Sequence, residues 1–204
     1  MSKKILVAFA AAAAIAFVAP AMASATTAVP ALHSGDTQAY LLDSSGNPIT
    51  STTTITVQGS LTLDGAAQVT CDSHFTIDVN ADGTTLVKAP SSFSNCTVNG
   101  IANCNVSAVP NLDYGDRLVL DSNGVFRDRI NVSLTNTYSG AGCPFGPITY
   151  TGELSPVLDF NGSGALTATF DGAAAGSLTS ALGGAVATGT VTEQGTLGGY
   201  GLGI

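Results

Sequence analysis

Apolar and polar side chains alternate along the chain from Thr52 onward. Ile55, Val57, Leu61 and Leu63 fall on one face of an extended strand, and polar residues mostly occupy the positions between them. A period of two is typical of β-strands with one buried face, because successive side chains point to opposite faces of a sheet. The alternation resumes in the following segment, whereas no later segment keeps the 3.6-residue period of a helix for long.

Two-residue turn signals separate the alternating segments. Asn-Gly and Asp-Gly suit the tight loops of β-hairpins, because both positions take positive φ angles. Their spread predicts a series of antiparallel hairpins and not alternating strands and helices. We therefore predict an all-β fold, either an antiparallel β-sandwich or a barrel-like domain. The six dipeptides are Asp64-Gly65, Asp82-Gly83, Asn99-Gly100, Asn123-Gly124, Asn161-Gly162 and Asp171-Gly172.

The segment around Asn123-Gly124 predicts one of these hairpins in detail. A turn there pairs residues 117–120 with 125–130 and brings four charged residues near one another across the strands. We interpret them as pairs of opposite charge on a solvent-exposed face, and a small basic recognition patch is the alternative. The four residues are Asp116, Arg117, Asp128 and Arg129.

The N-terminus has the layout of a secretory signal peptide. Lys3 and Lys4 precede an apolar run over 5–19, and small residues then allow cleavage after Ala23 or after Ala25. The apolar run is too short and too rich in alanine for a membrane span. We expect a cleaved signal helix and a secreted protein, with the periplasm and the outer cell surface as alternatives.

Composition divides the chain into three parts. The predicted signal peptide covers 1–25, and a leader or linker with at most one edge strand covers 26–50. A single β-domain is predicted over 51–204, with a glycine-rich C-terminal segment from 172 that is nearly free of charge.

Charge narrows the classes of partner. Fourteen acidic residues against six basic ones give a formal net charge of −8. An acidic surface repels phosphate backbones, so we expect no nucleic-acid partner. No second long apolar run follows the N-terminal one, so we expect no membrane span in the mature chain.

Four cysteines in an exported chain predict two disulfide bonds. The sequence leaves all three possible pairings open. A zinc site is disfavoured because there is no C-x-x-C motif and neither His33 nor His74 stands at ligand spacing. The cysteines are Cys71, Cys96, Cys104 and Cys143.

One segment resembles the first half of a calcium-binding loop. Asp78, Asn80 and Asp82, followed by Gly83, fit the pattern D-x-N-x-D-G. The twelfth position, where such a loop needs a glutamate, is Ala89, and the flanking segments are strand-like. We therefore favour a hairpin turn and keep the three residues as a weak calcium candidate.

Motifs for catalysis are weak. His74 follows Ser73 on a predicted strand, where adjacent side chains point to opposite faces. No G-x-S-x-G motif is present. We predict a non-enzymatic protein with no catalytic residues and no cofactor.

Several short motifs together resemble the PraB family of secreted bacterial proteins, described as activators of alkane oxidation. The resemblance covers about residues 60–155 and implies a non-enzymatic exported protein that promotes the use of alkanes, by binding or dispersing hydrophobic molecules or surfaces. The residues that carry it are Val69-Thr70-Cys71 with Phe75, Asn80-Ala81-Asp82-Gly83, Thr97-Val98-Asn99-Gly100 with Cys104, and Gly142-Cys143 with Gly146-Pro147.

A structural or adhesive surface protein is the alternative hypothesis. Its apolar C-terminal segment would pair with the sheet edge of another copy, and removal of 189–204 would then abolish self-association.

Overall fold

A computed structural model describes residues 29–110, 115–161, 164–194 and 200–204. The predicted signal peptide lies outside these residues. Within the described ranges the chain forms fourteen β-strands and one short 3-10 helix over Gly172–Ala175. The strands are β1 (Thr37–Gln38), β2 (Tyr40–Leu42), β3 (Thr53–Asp64), β4 (Gln68–Val79), β5 (Thr84–Val98), β6 (Asn105–Pro110), β7 (Gly115–Leu120), β8 (Phe126–Ser139), β9 (Ile148–Leu154), β10 (Val157–Phe160), β11 (Leu166–Asp171), β12 (Gly176–Ser180), β13 (Gly183–Glu193) and β14 (Gly201–Gly203).

The strands close into an antiparallel up-and-down barrel. The barrel has eight strand positions. Five of them hold one long strand each, namely β3, β4, β5, β8 and β13. The other three each hold two successive short strands, namely β6 with β7, β9 with β10 and β11 with β12. Each barrel position pairs with the next one along the chain, and β13 pairs with β3 to close the ring of eight. The predicted all-β fold is confirmed, and it is the barrel-like form that the chain adopts.

In two of the three barrel positions that hold two short strands, an identifiable break separates the two strands. Ser155-Pro156 separates β9 from β10, where proline has no backbone N–H for a ladder bond. The 3-10 helix separates β11 from β12, although both strands pair with β13. Each break lets its barrel position bend, while the two short strands keep the same neighbouring positions of the barrel.

Glycine permits the closing pair of strands to approach. Gly189 in β13 has a φ of +124°, and a Cβ atom there would lie 2.2 Å from the carbonyl oxygen of Ser60. Gly59 in β3 is equally restricted, since its Cβ would lie 2.0 Å from the carbonyl oxygen of Thr190. Such glycine positions allow the strong coiling that a small barrel needs.

Both ends of the described chain pack on one end of the barrel. β1 pairs with β7, and the Ala39 backbone N–H donates to the Leu118 carbonyl at 3.1 Å. β2 pairs with β14 in a separate two-stranded sheet. Ala39, Leu41 and Ile49 are buried. These three residues of the predicted leader therefore belong to the hydrophobic core, whereas residues 31–35 are exposed.

The four cysteines form the two predicted disulfide bonds. Cys71 pairs with Cys96, which links the neighbouring strands β4 and β5. Cys104 pairs with Cys143, which links the segment before β6 to the connection between β8 and β9. Disulfide bonds of this kind are typical of proteins in non-reducing, extracellular or periplasmic compartments.

Candidate functional site

The interior of the barrel holds a cavity of about 180 Å³. Its wall is predominantly aliphatic and aromatic, and every barrel position contributes to it. Eight strands make an interior just wide enough to be filled by side chains or to hold one small ligand. Among the larger lining residues are Ile55, Val57, Phe75, Ile77, Val87 and Phe93.

The cavity follows from which residues occupy the inward positions. The apolar residues of β3 and β4 that alternate in the sequence point inward and line it. Ala108 of β6, Ala168 of β11 and Ala187 of β13 also line it, and their small side chains leave space that larger residues would fill. The alternation thus produces the barrel, and the inward alanines help leave it hollow.

The terminal strands contribute to one end of the cavity. Leu41 of β2 and Leu202 of β14 both line the apolar volume. These two strands pair with each other outside the barrel sheet, and they form a cover of which Leu41 and Leu202 face the interior.

A pair of carboxyl groups interrupts the apolar wall. Asp116 of β7 and Asp128 of β8 both line the cavity and are buried, Asp116 being only 1% exposed. The Thr85 hydroxyl donates to Asp128 Oδ1 at 3.2 Å, and the Asn131 backbone N–H donates to Asp116 Oδ1 at 3.2 Å. Three adjacent strands, β5, β7 and β8, therefore build one polar spot.

Burial changes the charge of this pair. Removal from water raises the pKa of Asp128 to about 7, against the hydrogen bond from Thr85, which lowers it. Burial also raises the pKa of Asp116 well above its usual value, and the nearby charge of Asp128 adds to that shift. Perturbed carboxyl groups facing a cavity are candidates for a functional site.

The prediction of four charges on one solvent-exposed face is wrong. Asp116 and Asp128 point into the barrel, whereas Arg117 and Arg129 point outward, because neighbouring residues on a strand alternate faces. Arg129 binds both carboxylate oxygens of Asp36, at 2.9 to 3.2 Å. The arginines therefore attach the N-terminal segment and do not pair with the two interior carboxyl groups.

The sequence contains a signal that Asp128 is buried, but the charged residues beside it suggest an exposed position instead. Along β8, Phe126, Ile130, Val132 and Leu134 occupy alternate positions, and Asp128 stands within that series. An acidic residue in phase with a run of inward apolar residues predicts a buried carboxyl group. The other member, Asp116, is in phase with Leu118 and Leu120 only, and the apolar Val119 between them weakens that signal.

A second polar group lies on the same cavity wall. Asn136, further along β8, lines the cavity and is 1% exposed. Its Nδ2 donates to the Tyr138 hydroxyl at 3.4 Å, while its Oδ1 has no hydrogen-bond partner. A buried acceptor without a donor costs stability, so this atom marks a place where a donor is missing.

The calcium candidates lie in the β4–β5 hairpin, and their oxygens accept hydrogen bonds from the hairpin itself and from the chain at the start of β3. Asp78 accepts from Thr54 at 2.6 Å and lies 3.3 Å from Lys88. Asp82 Oδ1 accepts from the backbone N–H and the hydroxyl of Thr84.

Asn80, between these two, accepts from Thr52 at 2.8 Å. These bonds explain the segment as a turn, and calcium binding there stays a prediction. Over the ranges that the structure covers, no group of three His, Cys, Asp or Glu side chains could hold a metal ion.

Comparison with protein-family models, curated proteins and solved structures found no match. Among the residues described by the structure, no helix is long and apolar enough to cross a membrane. What can be inferred about function therefore rests on the barrel and its cavity.

Proposed function

We propose that this protein is a secreted, non-enzymatic binding module that takes up a small hydrophobic molecule inside its barrel. The apolar cavity of about 180 Å³ carries this proposal. The resemblance to the PraB family agrees with it, since uptake of a hydrocarbon is one way to promote alkane use. The two disulfide bonds support the proposed location outside the reducing cytoplasm.

The size of the cavity sets the size of the ligand. An apolar cavity of about 150 Å³ in a protein core takes up benzene. The present cavity therefore suits one aromatic ring or a short alkyl chain, and a long-chain alkane exceeds it. Transfer of six carbons from water contributes about 5 kcal/mol at roughly 0.8 kcal/mol per carbon. We expect a dissociation constant of about 0.1–1 mM for such a ligand.

Filling the cavity tests the proposal. Ala168 lines it, so Ala168→Leu places a larger side chain in the ligand volume. We expect benzene binding, followed by methyl chemical shifts in NMR, to weaken at least tenfold. Ala181→Leu, at an exposed turn position, is the matched control and should bind benzene like the unmodified protein. Absence of benzene binding to the unmodified protein, or equal binding by both variants, would contradict the proposal.

A structural or adhesive protein that self-associates through its C-terminal segment is the second proposal. β14 pairs with β2 in a sheet separate from the barrel, so the same pairing can form between two copies. Removal of 189–204 is not a clean test, because residues of β13 from Gly189 onward pair with β3. Removal of 200–204 alone leaves the barrel strands intact, and sedimentation of the two chains would then show whether assembly depends on that segment.

A further inference from the structure

We propose that the ligand of the barrel is a small primary amine. Its alkyl or aryl part fills the apolar cavity, and its ammonium group binds the carboxyl groups of Asp116 and Asp128. This inference rests on the proposed binding function and names the chemical class of its ligand.

The register places the two carboxyl groups on one face of neighbouring strands. Asp128 lies opposite Leu118, and Asp116 lies opposite Ile130, so the two aspartates are diagonal neighbours across the β7–β8 pair. Diagonal neighbours on one face lie roughly 7–8 Å apart, so a ligand group placed between the two side chains can contact both. Thr85, opposite Asp116 on β5, completes the spot with a hydroxyl group.

In the part of the chain that the structure describes, no lysine or arginine side chain binds these carboxyl groups. Lys88 pairs with Asp78, and Arg127 pairs with Asp121. The remaining two arginines contact the N-terminal segment, and none of the four basic residues lines the cavity.

Asp128 accepts from Thr85, and Asp116 accepts from the Asn131 backbone, but the ionised forms have no cationic partner among the described side chains. Buried ionised carboxylates are costly without one, so a cation is the complement that this part of the wall lacks.

The charge of the whole chain favours the same class of ligand. The formal net charge of −8 attracts cations and disfavours anionic ligands such as fatty acids. The raised pKa values of Asp116 and Asp128 show what desolvation costs their ionised forms, and an ammonium group beside them would stabilise those forms.

The unpartnered oxygen of Asn136 marks a separate polar place on the wall, eight residues along β8 from Asp128 and about 26 Å away at roughly 3.3 Å per residue. It is a buried acceptor on the cavity wall, and like the two carboxyl groups it requires a donor. A small amine held at the carboxyl pair does not reach Asn136, so the inference rests on the carboxyl pair.

Four probes of one shape test the inference on the unmodified protein at pH 8. They are benzene, benzylamine, benzyl alcohol and benzoate, and binding is measured by titration calorimetry and NMR. We expect benzylamine to bind at least tenfold more tightly than benzyl alcohol, and benzoate to bind weakest of the four. Equal binding of the amine and the alcohol would overturn the inference.

A variant then assigns the preference to the carboxyl pair. Asp128→Asn keeps the shape and removes the ionisable group, so we expect loss of the tenfold preference for benzylamine over benzyl alcohol. Asp64→Asn, at an exposed position of β3, is the matched control and should keep the preference. A preference that survives Asp128→Asn would contradict the assignment.

The two proposals fail in distinguishable ways. If none of the four probes binds, the proposed function fails and the inference fails with it. If benzene binds and benzylamine binds no better than benzyl alcohol, the binding function stands and the amine class is wrong. The comparison on the unmodified protein keeps the test valid even if a variant does not fold.

Discussion

At the residue scale, Asp128 is stabilising when protonated and costly when ionised. Its pKa in the folded protein is about 7, whereas an unfolded aspartate titrates near 3.8. The folded state therefore holds its proton more tightly than the unfolded state between these values, and stability falls as pH rises through that window. Asp116 faces it from β7 and shifts in the same direction, while Asp159 on β10 is exposed on the outer face.

Replacement of Asp128 by asparagine should remove this pH dependence. At about 1.4 kcal/mol per pKa unit, we expect Asp128→Asn to stabilise the fold by roughly 2–4 kcal/mol at pH 8 and to have little effect at pH 4. Thermal unfolding at both pH values checks this, with Asp64→Asn as the control. An Asp128→Asn variant that is no more stable than the unmodified protein at pH 8 would show that the carboxyl group is not buried as described.

At the scale of elements, the β3–β13 pair closes the barrel, and its glycines should be sensitive to substitution. Gly189 and Gly183 both lie in β13 with positive φ angles, +124° and +119°. A Cβ at Gly189 meets the Ser60 carbonyl oxygen at 2.2 Å, whereas a Cβ at Gly183 meets nothing within 4 Å. An alanine at Gly183 therefore adds only the cost of the backbone conformation, whereas an alanine at Gly189 adds a steric clash as well.

We expect Gly183→Ala to cost about 1 kcal/mol of unfolding free energy, from backbone conformation alone. Gly189→Ala should cost about 3 kcal/mol or more, because the added methyl group forces β13 away from β3. Urea unfolding of both variants measures the difference. Equal costs would mean that the close approach of the two strands is not required.

The hairpins show how far local sequence predicts these elements. Asp64-Gly65, Asp82-Gly83 and Asn123-Gly124 do connect consecutive paired strands, because an isolated hairpin needs only its own turn and alternation. Asp171-Gly172 instead leads into the 3-10 helix between β11 and β12. Both of those strands share the partner β13, and that long-range pairing has no local sequence signal.

The candidate site is harder to predict than the fold, because its polar part also depends on pairing between strands that are distant in the sequence. Alternation predicts which residues of β3 and β4 are buried, and the apolar wall follows from it. The polar spot depends on the register of three strands, which places Thr85 beside Asp116 and Asp116 diagonal to Asp128. Sequence proximity suggested pairing with arginines, whereas the alternation of faces separates the two sets of charges.

At the scale of the whole molecule, the two terminal strands lie against the cavity, so we expect the entry of a ligand to depend on them. β2 and β14 pair with each other, and their Leu41 and Leu202 line the cavity. Because β14 has only three residues and pairs with β2 alone, it is the weakest part of this cover. Ligand exchange should therefore depend on residues far from the carboxyl pair in the sequence.

Removal of residues 200–204 should speed exchange while leaving the barrel folded. With Leu202 gone, the cavity loses part of its cover, so we expect the dissociation rate of benzene, from NMR line shapes, to rise at least tenfold with little change in unfolding free energy. Leu202→Ala in the full-length chain is the control, since it keeps β14 and should give a smaller increase. If instead the shortened chain exchanges benzene at the original rate and loses self-association, the C-terminal strand serves assembly and not the cavity.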